Sequence, residues 1–199
     1  MSKLLKDAIR SQLLESSRVI SQTARGELET IAAAAKALIA AYARGNKILT
    51  FGNGGSACDA QNFADELVGR FERNRPPLPA LSLTVNSSDL TSIANDFGYE
   101  NVFARQLEAH AKPGDIAVAI STSGNSPNVI KAARSAKRLG LLVIGLTGRK
   151  GGKLKDVADI CLRVPSETVA RIQETHIAVI QIWCGIIENA LFPKAPKAH

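Results

Sequence analysis

Five short apolar runs, separated by longer segments with helical periodicity, constrain the fold of this chain most. The runs lie at residues 47–51, 80–84, 115–120, 141–147 and 159–164. Continuous apolar strands that alternate with helices are typical of a parallel sheet covered by helices on both faces. The sequence therefore predicts an α/β fold: a doubly wound, five-stranded parallel sheet with the flavodoxin-like strand order 2-1-3-4-5.

Helical periodicity fills the rest of the chain. Between and after the strands it predicts helices at residues 57–70, 88–109, 127–139 and 168–191. Before the first strand it predicts two more helices, at 3–24 and 28–44. Residues 1–199 thus form a single domain, with residues 1–45 as an N-terminal helical extension.

The first predicted helix has a stripe of leucine and isoleucine and no strand of its own to cover. We therefore expect this helix to pack against another subunit of a homo-oligomer. The alternative is that it packs back on its own domain.

The net charge of +7 favours acidic partners, either phosphorylated metabolites or nucleic acid. Aromatic residues make up only 5% of the chain, which leaves few platforms for stacking nucleic-acid bases, so we favour a small molecule. The apolar runs are too short to cross a bilayer, and the charged N-terminus does not resemble a signal peptide. We therefore expect a cytoplasmic protein without a membrane partner. The three cysteines form no CxxC pair, which argues against disulfides and a zinc finger.

Two polar loops follow the strands between which the predicted chain reverses direction. The loop GNGGS at 52–56 follows strand 1, and STSGNS at 121–126 follows strand 3. Ligands of such sheets bind at the carboxyl ends of the strands at this switch point. The sequence therefore predicts one binding site formed by both loops.

The second loop has the properties of a phosphate site. It contains four hydroxyl side chains in six residues, and Pro127 follows at a plausible first helical position. Free backbone amides at a helix N-terminus attract phosphate, and hydroxyls add hydrogen bonds. The alternative is that Ser126 only caps its helix. The first loop matches a dinucleotide pattern only weakly, because strand 2 ends without the acidic residue that pattern needs. We favour the phosphate monoester of a small metabolite.

The motifs and their order resemble the bacterial phosphoheptose isomerases, which have the sugar isomerase (SIS) fold. They are GNGGSACDAQNFADELVGRF at 52–71, IANDFGY at 93–99, AISTSGNSPNVI at 119–130, LTGRKGG at 146–152 and RIQETHI at 171–177. The resemblance implies a homotetramer with active sites at subunit interfaces. It also implies conversion of sedoheptulose 7-phosphate into D-glycero-D-manno-heptose 7-phosphate through an enediol, in the synthesis of lipopolysaccharide precursors.

The resemblance assigns roles to individual residues. Glu66 matches the catalytic carboxylate, and Gln181 occupies the place of a second catalytic residue, a histidine in many members. The residues that would hold the phosphate are Ser56, Ser121, Thr122, Ser123 and Ser126. Those that would contact the sugar or complete the site are Asn53, Gly54, Gly55, Arg70, Asp96 and Gln173. From Ser56 to Glu66 the helix rises about 15 Å, so the phosphate must lie beside the helix end or another subunit must contribute.

Many family members bind zinc at the positions of Asn62, Glu66, Gln173 and Gln181, with histidine at the first and last. Amides are poor zinc ligands and do not exchange protons near neutral pH. We therefore expect no tight zinc site and assign no cofactor. His176 could border the site, or it could be a packed, hydrogen-bonded helix histidine, which we favour.

A second function remains open at this stage: a non-catalytic SIS protein that binds a phosphosugar and acts through a protein partner. A replication-initiator-associating protein of bacteria resembles the chain in LFP at 191–193 and also lacks the second histidine. The retained Glu66 and the form of both loops favour the enzyme.

Overall fold

The computed structural model describes residues 2–193 and has the predicted parallel sheet. Its strands are β1 Ile48–Gly52, β2 Ala80–Ser82, β3 Ile116–Ile120, β4 Leu142–Gly148 and β5 Ile160–Val164. All neighbouring strands are parallel, in the order β2-β1-β3-β4-β5. The fold class and strand order predicted from the sequence are confirmed. Residue 1 and residues 194–199 of the predicted domain lie outside the described residues.

Seven α-helices surround the sheet in this part of the chain. They are α1 Ser2–Gly26, α2 Leu28–Ala43, α3 Gly55–Val68, α4 Ser87–Phe97, α5 Val102–His110, α6 Pro127–Arg138 and α7 Val169–Leu191. Within residues 2–193, no helix is both long enough and apolar enough to cross a membrane.

The prediction of one helix at 88–109 is wrong. Helices α4 and α5 are separate, with a short 3-10 turn at Tyr99–Asn101 between them. Helix α4 ends because Gly98 has a φ of 85°, a conformation that residues with a Cβ rarely adopt. The break matters for the site, because it brings Tyr99 to the loop after β1.

The sheet separates two hydrophobic cores. On one face Ile48, Ile116 and Ile120 pack with α2, α3 and α7, where Phe63 contacts Trp183. On the other face alternate strand residues such as Leu49 pack with α5 and α6. Because both faces are covered, the strands read as continuous apolar runs in the sequence.

The two N-terminal helices differ in burial. Helix α2 buries residues such as Leu38 and Tyr42 in the core under the sheet. Helix α1 buries Val19, but its large apolar side chains toward the N-terminus are exposed: Leu4, Leu5, Ile9, Leu13 and Leu14. The use of α1 in oligomerisation stays a prediction, and this exposed stripe agrees with it.

A buried ion pair ties the C-terminal end of α3 to α7. Arg75 Nε lies 3.0 Å from Glu188 Oε2, and both side chains are only 2% exposed. The Arg75 guanidinium also donates to the backbone carbonyls of Glu66 at 2.8 Å and Leu67 at 2.9 Å. The backbone of α3 is therefore held in place at the turn that carries Glu66.

Candidate active site

The two predicted loops meet at the carboxyl ends of β1 and β3, where they form a cavity of about 260 Å³. Helix α7 closes the cavity from the side. The cavity is lined by Asn53, Ser56, Ile120, Ser121, Thr122, Ser126, Val169 and Gln173. Six of these eight residues were predicted site residues, so the structure brings the core of the predicted phosphate site together.

Serine hydroxyls cluster at one end of this cavity. Ser121 Oγ lies 3.0 Å from Ser126 Oγ and 3.5 Å from Ser123 Oγ. Ser126 is the N-cap residue of α6, but its side chain makes no capping hydrogen bond. The alternative that Ser126 only caps the helix is therefore wrong. Its hydroxyl instead belongs to the cluster, where hydroxyls at a positive helix end can donate to an anion.

Ser123 does not line this cavity but borders, together with Thr122, a second cavity of about 270 Å³. Ser123 Oγ accepts a hydrogen bond of 3.1 Å from the backbone N–H of Asn125. Ser123 thus contributes to the shape of the loop as well as to the cluster.

Asn53 is held by a pair of reciprocal hydrogen bonds to Asn128, the second residue of α6. The side-chain nitrogen of each residue donates to the side-chain oxygen of the other at 2.8 Å. The Tyr99 hydroxyl also donates to Asn53 Oδ1 at 3.2 Å. These partners fix the orientation of Asn53 at the cavity wall and leave one of its N–H groups for a ligand.

The two predicted glycines, Gly54 and Gly55, shape the site through their backbones. Gly55 is the first residue of α3, and a Cβ on it would overlap the side-chain amide of Gln173. Gly54 precedes the helix with a φ of 57°. The glycines therefore allow α7 to bring Gln173 against the N-terminal end of α3.

Asn62, Glu66 and Gln181 form a second cluster, further along the same pair of helices. Gln181 Nε2 donates to Asn62 Oδ1 at 2.7 Å and lies 3.4 Å from Glu66 Oε1. Asn62 and Glu66 are four residues apart and share one face of α3. The sequence predicted this face correctly, and the structure adds that Gln181 bridges the two residues.

An SIS domain matches residues 13–148, most of the chain. Over 161 residues the chain is 52% identical to the phosphoheptose isomerase of Rhodospirillum rubrum, a match that covers 81% of this chain and 86% of that protein. The chain belongs to the phosphoheptose isomerase family. The family consists of enzymes, so the chain is a phosphosugar isomerase, and the non-catalytic alternative finds no support among these relatives.

Other phosphoheptose isomerases agree with this assignment. That of Trichlorobacter lovleyi is 53% identical over 162 residues, 81% of this chain and 83% of the relative. The structure of the Neisseria gonorrhoeae enzyme matches with a TM-score of 0.88 and 40% identity, over 93% of this chain and 99% of the other. The structure of the Francisella tularensis enzyme matches with a TM-score of 0.90 and 40% identity, over 95% of this chain and 100% of the other.

The side chains at the four predicted zinc positions do not fit zinc. Three of them are amides, and Glu66 alone is a ligand of the kind that zinc prefers. Asn62 and Gln181 are hydrogen-bonded to each other, so each already has a partner. Among residues 2–193 there is also no group of three or more His, Cys, Asp or Glu side chains that could hold a metal ion.

Two predicted site residues lie apart from both clusters. Arg70 and Asp96 are exposed and line neither the phosphate cavity nor the Glu66 cluster. The Asp96 carboxylate accepts a hydrogen bond from neighbouring Asn95. Their role in the site stays a prediction that requires a second subunit.

His176 does not belong to the site. It is fully buried, and its Nε2 lies 3.2 Å from the Thr147 carbonyl oxygen. Burial lowers the pKa of His176 to about 4, so the imidazole is neutral near pH 7. The interpretation as a packed helix histidine is confirmed.

Sequence analysis missed Asn128, Tyr99 and Asp59. Asn128 and Ser135 are the two polar residues on the buried face of α6, a signal that periodicity could have revealed. Tyr99 could not have been found, because its position depends on the break between α4 and α5. Asp59 is a buried acid one turn after Ser56, on a helix whose other buried residues are mostly apolar.

Proposed function

We propose that this isomerase converts sedoheptulose 7-phosphate into D-glycero-D-manno-heptose 7-phosphate through an enediol, without bound zinc. One observation carries the proposal. The cavity with the serine cluster borders the N-terminal ends of α3 and α7 through Ser56 and Gln173, and Glu66 lies further along α3 with Gln181 of α7 beside it. A substrate with phosphate at one end and a carbonyl at the other matches this arrangement.

The phosphate binds at the serine cluster. The hydroxyls of Ser56, Ser121, Thr122 and Ser126 line one cavity beside the N-terminal ends of α3 and α6. Two positive helix ends and several hydroxyl donors stabilise a phosphate without a lysine. The cavity has a volume of about 260 Å³, which suits the phosphate end of a small sugar phosphate.

Glu66 is the base that moves the carbon-bound proton between C1 and C2. Such a transfer requires a carboxylate within reach of the substrate carbon atoms. Gln181 lies 3.4 Å from Glu66 Oε1 and hydrogen-bonds Asn62, so it orients the carboxylate from the facing helix. An amide cannot exchange protons near neutrality, so the role of Gln181 is to position Glu66 rather than to act as an acid.

The assembly is a cytoplasmic homotetramer that supplies heptose for lipopolysaccharide precursors. The exposed apolar stripe of α1 and the exposed Ile182 and Ile186 of α7 support association of subunits. Arg70 and Asp96 are exposed in the single chain, and an interface would bring them to a neighbouring site.

Turnover with and without metal tests this function. Chelator-treated protein is incubated with sedoheptulose 7-phosphate, with and without added zinc, and formation of the aldoheptose phosphate is followed. We expect turnover that zinc does not raise, and a loss of about 100-fold or more in Glu66→Gln. Asp65→Asn is the control, because that neighbouring carboxylate is exposed. Equal background rates for wild type and Glu66→Gln would refute the isomerase, and activity that appears only with zinc would refute the metal-free mechanism.

A further inference from the structure

A ketose–aldose isomerase needs a second proton-exchanging group besides its carbon base. As C1 loses its proton, the O2 carbonyl oxygen gains one, and O1 must later lose one. The side chains that face Glu66 or line the Gln173 end of the site include Asn62, Gln173 and Gln181, and these amides cannot exchange protons near neutral pH. The inference below rests on the proposed function.

Asp59 lies on the face of α3 that carries the site. At about 100° per residue, Gly55, Asp59, Asn62 and Glu66 fall within a sector of about 60° on this helix. Gly55 contacts Gln173, and Asn62 and Glu66 face Gln181, so this sector is the one that faces α7. Asp59 therefore lies between the phosphate end and the Glu66 end of the site.

The Asp59 carboxyl has one buried oxygen without a hydrogen-bond partner. The residue is 7% exposed, and its Oδ2 atom is buried with no partner among the described residues. A buried, unpaired carboxylate is costly, so a native protein keeps such a group for a reason. Burial raises the pKa of Asp59 from 3.8 to about 6, so protonated and ionised forms are both populated near neutrality.

Few charged groups surround this carboxyl. The strands that α3 covers, β1, β2 and β3, contain no charged residue. Between Gln173 and Gln181, helix α7 carries two titratable residues, Glu174 and His176. Glu174 accepts a hydrogen bond from Arg171, and His176 is neutral near pH 7. On α3 itself, Cys58 precedes Asp59, and Asp65 and Glu66 lie more than one turn further on. The protonation of Asp59 is thus set by its burial.

We propose that Asp59 is the second catalytic residue, which exchanges protons with the substrate oxygens O1 and O2 while Glu66 exchanges the proton on carbon.

The step is balanced without a cofactor. The Glu66 carboxylate takes a proton from C1, the C1–H electron pair becomes the C1=C2 bond, and the Asp59 carboxylic acid gives its proton to O2. The product is a neutral enediol, with Glu66 protonated and Asp59 ionised. The Glu66 carboxyl exchanges its proton with solvent in the enediol complex and then protonates C2, while Asp59 takes the proton of the O1 hydroxyl and C1=O1 forms. Both carboxyls return to their starting states.

The order of the groups along α3 matches the substrate. Asp59 lies about 4.5 Å along the axis from Ser56, at the phosphate side, and Glu66 about 10 Å further on. O2 is one carbon nearer to the phosphate than C1, so the oxygen acid belongs on the phosphate side of the carbon base. The Cα–Cβ bonds of both residues tilt toward the N-terminus of the helix, so the greater length of the Glu66 side chain is what brings its carboxyl closer to that of Asp59. In a cis-enediol O1 and O2 are adjacent, so one carboxyl can serve both.

Asp59→Asn, which keeps the shape of the side chain but cannot exchange protons, tests the assignment with sedoheptulose 7-phosphate as substrate. We expect kcat to fall by about 100-fold or more, with the KM and the Kd for the substrate within about threefold of wild type. The pH profile of kcat/KM, which reports ionisations of the free enzyme, should lose the ionisation that lies near pH 6 in wild type. Asp59→Glu should recover part of the rate, and the exposed Asp65→Asn on the same helix should match wild type.

The outcomes separate this assignment from the proposed function. If wild type is active and Asp59→Asn keeps kcat within about threefold, Asp59 is not catalytic although the isomerase stands. The same conclusion follows if Asp59→Asn loses rate only through weaker substrate binding or a lower Tm, with an unchanged pH profile. If Asp59→Asn does not fold, Asp59→Glu decides, because a structural role predicts an unchanged pH profile in that variant. If wild type itself shows no turnover, both the proposed function and the role of Asp59 are lost.

Discussion

Gln181 Nε2 donates a hydrogen bond to Asn62 Oδ1 at 2.7 Å and thereby joins α7 to α3 beside Glu66. In many relatives these two positions carry zinc-binding histidines, according to the resemblance seen in the sequence. Here an amide pair links the two helices. Gln181 Nε2 also lies 3.4 Å from Glu66 Oε1, so this pair places a hydrogen-bond donor at the carboxylate.

The variant Asn62→His with Gln181→His should gain a zinc site. Together with Glu66 and Gln173 it places two imidazoles, a carboxylate and one amide on the two facing helices, and imidazole is a preferred zinc ligand. We expect close to one zinc per chain in the double variant and substoichiometric zinc in wild type, measured by metal analysis after dialysis. The single variants are controls and should bind more weakly than the double variant. Equally tight zinc binding by wild type would contradict the conclusion that its side chains do not fit zinc.

Ser121→Ala with Ser126→Ala should abolish phosphosugar binding without unfolding the protein. The two hydroxyls lie 3.0 Å apart in the phosphate cavity, and hydrogen bonds to a charged group contribute about 1.5–3 kcal/mol each. We expect affinity for sedoheptulose 7-phosphate to fall by about 100-fold or more in calorimetric titration. The exposed Ser88→Ala is the control. Unchanged affinity of the double variant would remove the proposed phosphate site.

Glu188→Gln should destabilise the protein strongly. Burial opposes ionisation of Glu188, but hydrogen bonds from the Glu72 amide, the Arg75 guanidinium and the Phe71 amide outweigh it and lower the pKa. Removal of one partner from a buried ion pair costs about 3–5 kcal/mol, which urea denaturation can measure. Because the folded pKa is depressed, this stabilisation is present above the ordinary value of 4.5 and is lost as pH falls below it.

The control for Glu188→Gln is Asp7→Asn, which removes the exposed pair with Arg10. An exposed pair contributes at most about 1 kcal/mol. A loss of similar size in both variants would show that the buried pair does not hold α3 against α7.

Asp59 should make the free energy of unfolding depend on pH, and the variant Asp59→Asn should lack this contribution. Its folded pKa of about 6 lies above the ordinary 3.8, so its contribution to the free energy of unfolding decreases as pH rises through this window. His176 titrates in the opposite sense over nearly the same range, and the comparison of variant with wild type cancels it. Between pH 4 and pH 7, Asp59→Asn should gain about 2–3 kcal/mol relative to wild type. For the exposed Asp65→Asn we expect a difference in the free energy of unfolding from wild type that does not vary with pH. The same result for Asp59→Asn would contradict a raised pKa of Asp59.

The strand order and both loops of the site could be predicted because apolar runs and glycine–serine loops are local signals. The topology of a parallel sheet determines where the loops after β1 and β3 meet, so the sequence predicts that Ser56 and Ser121 lie together, as they do in the structure. The break at Gly98 was missed, because a helix-compatible pattern continues on both sides of that residue.

The contacts between α3 and α7 could not be predicted from the residues alone. The hydrogen bond from Gln181 to Asn62 depends on how two helices distant in sequence pack, and helical periodicity does not determine that. Asp59 was missed for the same reason, since one acid on a helix reads as a surface residue until the neighbouring helix covers it.

We propose that Glu66 transfers a carbon-bound proton without a metal. The most direct measurement is deuterium incorporation at C2 of the product, followed by NMR when chelator-treated protein converts sedoheptulose 7-phosphate in D₂O. A base that exchanges its proton with solvent in the enediol complex must deliver deuterium to C2. We predict deuterated aldoheptose 7-phosphate from wild type and from Asp65→Asn, and a rate lower by about 100-fold or more from Glu66→Gln. Equal incorporation rates for wild type and Glu66→Gln, or incorporation only after zinc is added, would contradict the account.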